Sequence, residues 1–205
     1  MINIMIQSEN VYFNKGIGVL LKERFEPQVG ESIFCFDHNS APYADKIDLL
    51  IKFFGAGSES VCDAELRSLS PQTVIVGFYN NNPVRGAMNS SLQCLMKTPF
   101  IPLQMSVDDL LAIILDVWLK QCAYRLFISQ KSCFHCQFLK IKPHEMQVIK
   151  YSLQGFSLVR IGNIMNMNFK TVSAHKNRVL RRFSLRGDCE LVKFVKAHPH
   201  AFKSD

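Results

Sequence analysis

FKTVSAHKNRVLRRF, Phe169 to Phe183, is the stretch on which the rest of the chain turns. Val172, Val179, Leu180 and Phe183 are spaced for burial on one side of a helix. Lys170, Ser173, Ala174, Asn177, Arg178 and Arg181 fall at i, i+3, i+4, i+7, i+8 and i+11 and share another side. That side carries small and amide groups in its middle and cations around them. Such a face suits a DNA major groove: Ser173 and Asn177 can hydrogen-bond base edges, and Ala174 can touch a thymine methyl. Lys170, Lys176, Arg178, Arg181 and Arg182 would neutralise phosphates, supplying affinity rather than sequence information. A helix that is merely solvated more often interleaves Glu with its Lys and Arg. Between Lys170 and Arg186 there is no acid.

The segments just upstream supply a fold for that helix. Pro143 stands where a first helical position would be, with Glu145 in the first turn. Met146, Ile149 and Leu153 are spaced along one face, and Gly155 is the expected stop. Ser157 is an N-cap candidate for LVRIGNIM, whose Leu158, Ile161 and Met165 make a second apolar stripe. NMN, Asn166 to Asn168, is a turn of residues tolerant of left-handed geometry. Two short helices joined by a tight turn, the second of them basic, predict a helix-turn-helix. The tail HPHAFKSD is polar and is expected to fray.

Charge is distributed to match. Residues 139–205 hold 13 Lys/Arg and 4 Asp/Glu, whereas the first 138 hold 11 and 13. A near-neutral body with a basic C-terminal third is the electrostatic footprint of a nucleic-acid-binding module.

Ile141 to Val192 resembles the LuxR/FixJ-type helix-turn-helix domain of bacterial transcription regulators. The likeness is carried by Pro143 and Glu145, Gln154-Gly155 with Ser157, Ile161, Lys170-Thr171-Val172, His175, Leu180 and Glu190-Leu191. It implies a four-helix domain whose third helix enters the major groove of double-stranded DNA. It also implies a fourth helix, about Cys189 to Lys196, that commonly pairs subunits. By the same resemblance Ser173, Ala174 and Asn177 are base-reading positions and Thr171 is a backbone contact. Three departures stand out: Lys142 for the usual Ser/Thr cap, Gly162 for a small helix former, and Ser184 for a frequent Gly. Each is expected to weaken local helix stability by about 1 kcal/mol.

The first 120 residues alternate differently. Ile2–Ile6, Ser32–Phe36, Asp48–Phe54, Thr73–Tyr79 and Phe100–Gln104 read as strands, most of them unbroken apolar runs. Helical spacing over Asn10–Phe25, Val61–Leu69 and Ser106–Gln121 separates them, with a weaker helix near Met88–Met96. Ser106 is the expected N-cap of the third helix, with Asp108 and Asp109 in its first turn. The pattern predicts an α/β unit with a parallel five-stranded sheet covered on both faces, followed by an all-α unit, which the family resemblance implies has four helices. The expected division is 1–120, a connector at 121–138, and 139–205.

The strand order is similar to that of the phosphorylation-receiver domain that regulators of this length often carry. Aligned so, Ser8 and Glu9 take the places of the paired acids, and Phe53 that of the phosphoacceptor. Phe78 takes the switch hydroxyl's place and Gln104 that of the fifth-strand lysine. An acyl phosphate needs a carboxylate nucleophile and hard oxygen ligands for magnesium, and Phe53 supplies neither. The resemblance therefore implies a degenerate receiver that is not switched by aspartyl phosphorylation and serves dimerisation or partner docking. The exposed part of the Asp108–Lys120 helix, with the strand before it, is where subunits would meet. The partner would be a second copy or a related regulator. A chain acting mainly as a protein-interaction subunit in such heterodimers is the alternative.

Other chemistry finds little footing. CFHC, Cys133 to Cys136, could join Cys122, His135 or His144 around zinc, but no second CxxC exists and ordinary linker thiols are expected. No nucleophile motif, phosphate loop or metal-binding helix is present, so neither an enzyme nor a metal or cofactor is expected. Seven scattered cysteines suit a reducing cytoplasm. The longest apolar run, Leu110 to Leu119, is interrupted by Asp116 and is too short for a span of about 20 residues.

Overall fold

The computed structural model describes residues 1–37, 46–61, 64–79, 92, 95, 98–124 and 141–202. CFHC, most of the expected connector and most of the weak helix near Met88–Met96 lie outside the described residues.

Five strands, β1 (Ile2–Gln7), β2 (Ile33–Asp37), β3 (Leu49–Phe54), β4 (Val74–Tyr79) and β5 (Phe100–Pro102), form one sheet in the order β2-β1-β3-β4-β5. Every neighbouring pair is parallel, with Ile4 opposite both Cys35 and Leu49, Leu49 opposite Val74, and Phe78 opposite Ile101. Helices cover both faces, which is why the strands are apolar runs rather than alternations. On one face Ile4, Ile6, Leu49, Ile51, Val76 and Ile101 pack against α1 (Val11–Leu20) and α4 (Val107–Tyr124). On the other, Met5, Leu50, Phe54 and Ile75 pack with Leu66 and Leu69, in and beside α3 (Ala64–Ser68).

Helix α1 widens into a π-helical turn, Leu21–Phe25, and ends in the short α2 (Glu26–Val29). Its buried stripe is Ile17, Leu21 and Phe25, with Phe25 edge-on to Trp118 of α4 at 6.3 Å. Val11 and its neighbour Tyr12, at the start of the helix, are exposed. Asn10 caps α1, its Oδ1 accepting from the backbone N–H groups of Tyr12 and Phe13. Ser106 caps α4 as expected, Oγ accepting the Asp109 N–H at 3.2 Å. Helix α4 runs on to Tyr124, so the expected boundary at 120 falls inside it. Among the described residues no helix is long and apolar enough to cross a membrane.

From residue 141 the regular elements among the described residues are helices: α5 (Pro143–Leu153), α6 (Leu158–Met165), α7 (Phe169–Arg182) and α8 (Asp188–Ala197), with a short 3₁₀ turn at Pro199–Phe202. Two apolar clusters hold it. Val148, Ile161 and Val172 bind α5, α6 and α7 together. Ile149, Val179, Phe183, Leu191, Phe194 and Phe202 join α5, α7, α8 and the tail, and Val61 from the α/β unit is part of the same cluster. Two expectations are corrected here. The buried stripe of α5 is Glu145, Val148 and Ile149: Ile149 is buried as spacing expected, whereas Leu153 is exposed and Val148 takes part in the contact with α6 and α7 instead. The tail does not fray before Phe202, since His198 and Phe202 are buried against Phe194.

Candidate nucleic-acid interface

Local chemistry places α7. Asn166 ends α6 in a left-handed conformation, φ 52°, and Asn168 Oδ1 accepts the Lys170 N–H at 2.8 Å as the N-cap of α7. Only the left-handed tolerance of this turn was anticipated; the cap could have been found from an Asn one residue before the periodic run. Within the turn the Met167 N–H donates to the Gly162 carbonyl at 2.8 Å. A Cβ on Gly162 would lie 2.6 Å from the Met167 carbonyl oxygen. The expected helix-weakening glycine is thus what lets α6 and α7 approach so closely. Ser184 does adopt a left-handed conformation, φ 53°, at the end of α7, so the missing glycine there is a real strain.

Helix α7 presents the face read from its spacing. Val172 and Val179 are fully buried, while Lys170, Thr171, Ala174, Asn177, Arg178 and Arg181 are exposed and Ser173 is half-buried. Lys170, Ser173, Ala174, Asn177, Arg178 and Arg181 line one open concavity of about 390 Å³. The Asn177 amide reaches Ser173 Oγ only at 3.5 Å, a weak bond that leaves both groups able to engage a ligand.

Two of the expected phosphate ligands are directed elsewhere. Arg182 donates to Glu145 Oε2 at 2.8 Å and to Oε1 at 3.1 Å, and Glu145 is fully buried. Lys176 Nζ lies 2.6 Å from Asp188 Oδ1, with only 16% of its side chain exposed. Both belong to the scaffold that holds α7. Arg178 straddles the two roles, half exposed and 3.7 Å from Glu145.

Glu145, read from sequence only as a first-turn acid, is the anchor of this scaffold. Its carboxylate also accepts the Lys142 N–H at 3.0 Å, which supplies half of a capping box despite the lysine. Burial alone would raise this carboxyl's pKa. The Arg182 and Lys142 hydrogen bonds and the charges of Arg182 and Arg178 outweigh burial and hold it below the ordinary range. His175, half-buried, lies 3.5 Å from Arg178 and packs near His144 with ring centres 6.4 Å apart.

At the carboxyl ends of the strands the residues aligned with a receiver's acid pocket make aromatic packing instead. Phe13 and Phe78 meet edge to face at 5.2 Å, and Phe53 packs against the same core. Gln7 pairs with Lys52 across β1 and β3, and the Lys52 ammonium donates to Gln7 Oε1 at 2.7 Å. Ser8 Oγ accepts the Asn10 N–H, and Glu9 is exposed. Among the described residues no three His, Cys, Asp or Glu side chains gather as a metal site.

This geometry agrees with the comparisons to known proteins. Residues 142–195 match the family of bacterial regulatory proteins described as luxR family, the GerE domain. Residues 142–195 therefore match the helix-turn-helix domain of that family. Similar folds occur in a structure of two RcsB dimers bound to two parallel DNAs, 17% identical over 95% of this chain and 98% of that one, TM-score 0.54. A complex of the two-component response regulator RcsB with DNA is likewise 17% identical over 95% and 98%, TM-score 0.52. RcsB from Salmonella enterica serovar Typhimurium bound to promoter rprA is 18% identical over 95% and 99%, TM-score 0.47. No curated protein sequence matches the chain. At 17% identity the two structures with TM-scores of 0.54 and 0.52 speak for the fold alone: a receiver-like α/β unit followed by the helix-turn-helix unit.

Proposed function

We propose that this chain is a sequence-specific transcription regulator that inserts α7 into the DNA major groove as a dimer and works without aspartyl phosphorylation. The observation that carries it is the open, acid-free concavity of α7, with Ser173, Ala174 and Asn177 ringed by Lys170, Arg178 and Arg181. In this reading Ser173, Ala174 and Asn177 meet base edges, Thr171 touches the backbone, and Lys170, Arg178 and Arg181 meet phosphates. Lys176 and Arg182 act indirectly, by holding the helix.

Phosphorylation independence is supported by Phe53 and Phe78, which place rings where a carboxylate and a hydroxyl would be needed. A dimer is supported by exposed apolar groups along one corner of the α/β unit. Leu103 and Val107 are exposed there and line an apolar groove of about 360 Å³ between α1, β5 and α4. A second copy would make the chain self-sufficient; a related regulator in its place would make it an auxiliary subunit.

Light scattering of the purified protein, alone and with a promoter fragment across a salt series, tests this. A dimer that binds with a steep salt dependence is the expected result. A monomer that gains DNA affinity only with a second regulator would select the auxiliary role. A protein that binds no DNA in either case would overturn the proposal.

A further inference from the structure

The turn after β3 leaves the α/β unit and is built into the helical one. Ser58 to Ser60 form a short 3₁₀ turn, closed by the Ser60 N–H donating to the Gly57 carbonyl at 3.0 Å. Gly57 is buried in a left-handed conformation, φ 79°. A Cβ there would lie 2.8 Å from the Phe183 carbonyl oxygen and 3.1 Å from the Phe194 ring. Backbone conformation and space therefore both demand glycine at this notch. One residue on, Ser58 Oγ and His198 Nε2 are 2.8 Å apart, a hydrogen bond whose donor depends on the imidazole tautomer. His198 is itself buried, with its ring 5.2 Å from that of Phe194. Val61 completes the seat, buried with Phe183, Leu191, Phe194 and Phe202. Within five residues the segment thus makes a close backbone contact, a polar contact and an apolar one, each to residues more than a hundred positions away.

The seat is on the far side of α7 from its polar face. Phe183 continues the buried line of Val172 and Val179, whereas Lys170, Asn177, Arg178 and Arg181 remain exposed. The seat also begins only four residues past Phe53, at the carboxyl end of the sheet.

We propose that residues 57–61 are an intramolecular latch, seated on Phe183, Phe194 and His198, that holds the helical unit on the α/β unit with the DNA-contacting face turned outward. Latched, the two units behave as one body, and α7 is competent for DNA without prior release. The competence half of this inference rests on the DNA reading of α7 given above; the latch itself does not.

Hydrogen exchange on the full chain tests the latch, comparing wild type with Gly57→Val and Ser58→Ala. Amides of α8 and the tail should exchange about tenfold faster in Gly57→Val, with β1 and β3 keeping their protection. Ser58→Ala should shift the same amides in the same direction by a smaller factor, and it decides the matter if the glycine variant loses protection in the sheet and so fails to fold. Unchanged exchange in α8 and the tail of Ser58→Ala and of a folded Gly57→Val would overturn the latch. Binding of a labelled duplex, followed by fluorescence anisotropy, should stay within about twofold of wild type. A tenfold gain on unlatching would overturn the competent state and make the contact an inhibitory clamp. If no form of the protein binds DNA, the failure lies with the reading of α7, and exchange still decides the latch.

Discussion

Arg182 and Glu145 form a bidentate pair that ties the last turn of α7 to the first turn of α5, 37 residues upstream. The carboxylate is fully buried, so its charge depends on this partner and on the Lys142 N–H. A cation that its charge alone would assign to phosphate is therefore part of the frame that holds the helix.

Arg182→Ala should cost about 3 kcal/mol of stability, because it leaves a buried carboxylate without its main counter-charge. Urea unfolding gives the value. A loss below about 0.5 kcal/mol would mean that the pair behaves like an exposed ion pair. Because the Glu145 pKa is held low in the folded state, its stabilisation is present above the unfolded carboxyl's pKa and is lost as pH falls through the lowered one.

Arg181→Ala should weaken binding to specific and random DNA alike and flatten the salt slope by about one phosphate contact. Asn177→Ala should instead relax base preference, costing about 1–3 kcal/mol on the specific site alone. Competition binding over a salt series separates the two. Equal losses on both kinds of DNA for both variants would refute this division of labour.

Gly162→Ala runs against helix propensity. In an exposed helix the change stabilises by up to about 1 kcal/mol. Here the new methyl meets the Met167 carbonyl oxygen at 2.6 Å, so a loss of about 2 kcal/mol is expected from the forced shift of α6 against α7. Thermal melting decides the sign. Ser184→Gly should go the other way, gaining about 1 kcal/mol by relieving a left-handed serine.

Glu59 makes stability depend on pH. It is buried in the latch turn, and desolvation, only partly offset by hydrogen bonds from the Glu59 and Gly57 N–H groups, raises its pKa to about 7. The folded state therefore favours the proton more than the unfolded chain does. Glu59's contribution is most favourable below the ordinary carboxyl range, declines as pH rises towards about 7, and is flat above that. Subtracting the stability curve of Glu59→Gln from that of wild type should leave a fall of about 3 kcal/mol between pH 4.5 and 8. A flat difference would show that the carboxyl titrates normally.

Much of this molecule is legible in its residue order, because the signals are local. Mostly apolar runs such as Ile2–Ile6, broken only by Asn3, and Leu49–Phe54, broken only by Lys52, mark strands buried on both faces, and their alternation with helices implies the parallel sheet. Ser157, Gly155 and Ser106 punctuate helices through bonds to backbone groups a few residues away. The division of α7 into an apolar line and a polar, cationic face follows from a period of 3.6 and holds in three dimensions.

What tertiary structure alone decides are the pairings that join distant positions. Residue type groups Lys176, Arg178, Arg181 and Arg182 as phosphate-binding cations, yet Asp188 takes the first and Glu145 takes the last. Spacing offers Met146, Ile149 and Leu153 to the core; packing buries Ile149, leaves Leu153 exposed and adds Val148, which spacing did not offer. Gly162 looks like a weak helix former until Met167 is seen against it, and a tail that looks unstructured is held by Phe194 and Ser58. A local pattern states which faces exist, because helical and strand periods are properties of the backbone. Which face meets which depends on loop closure and packing across tens of residues, and no short window of sequence contains that information.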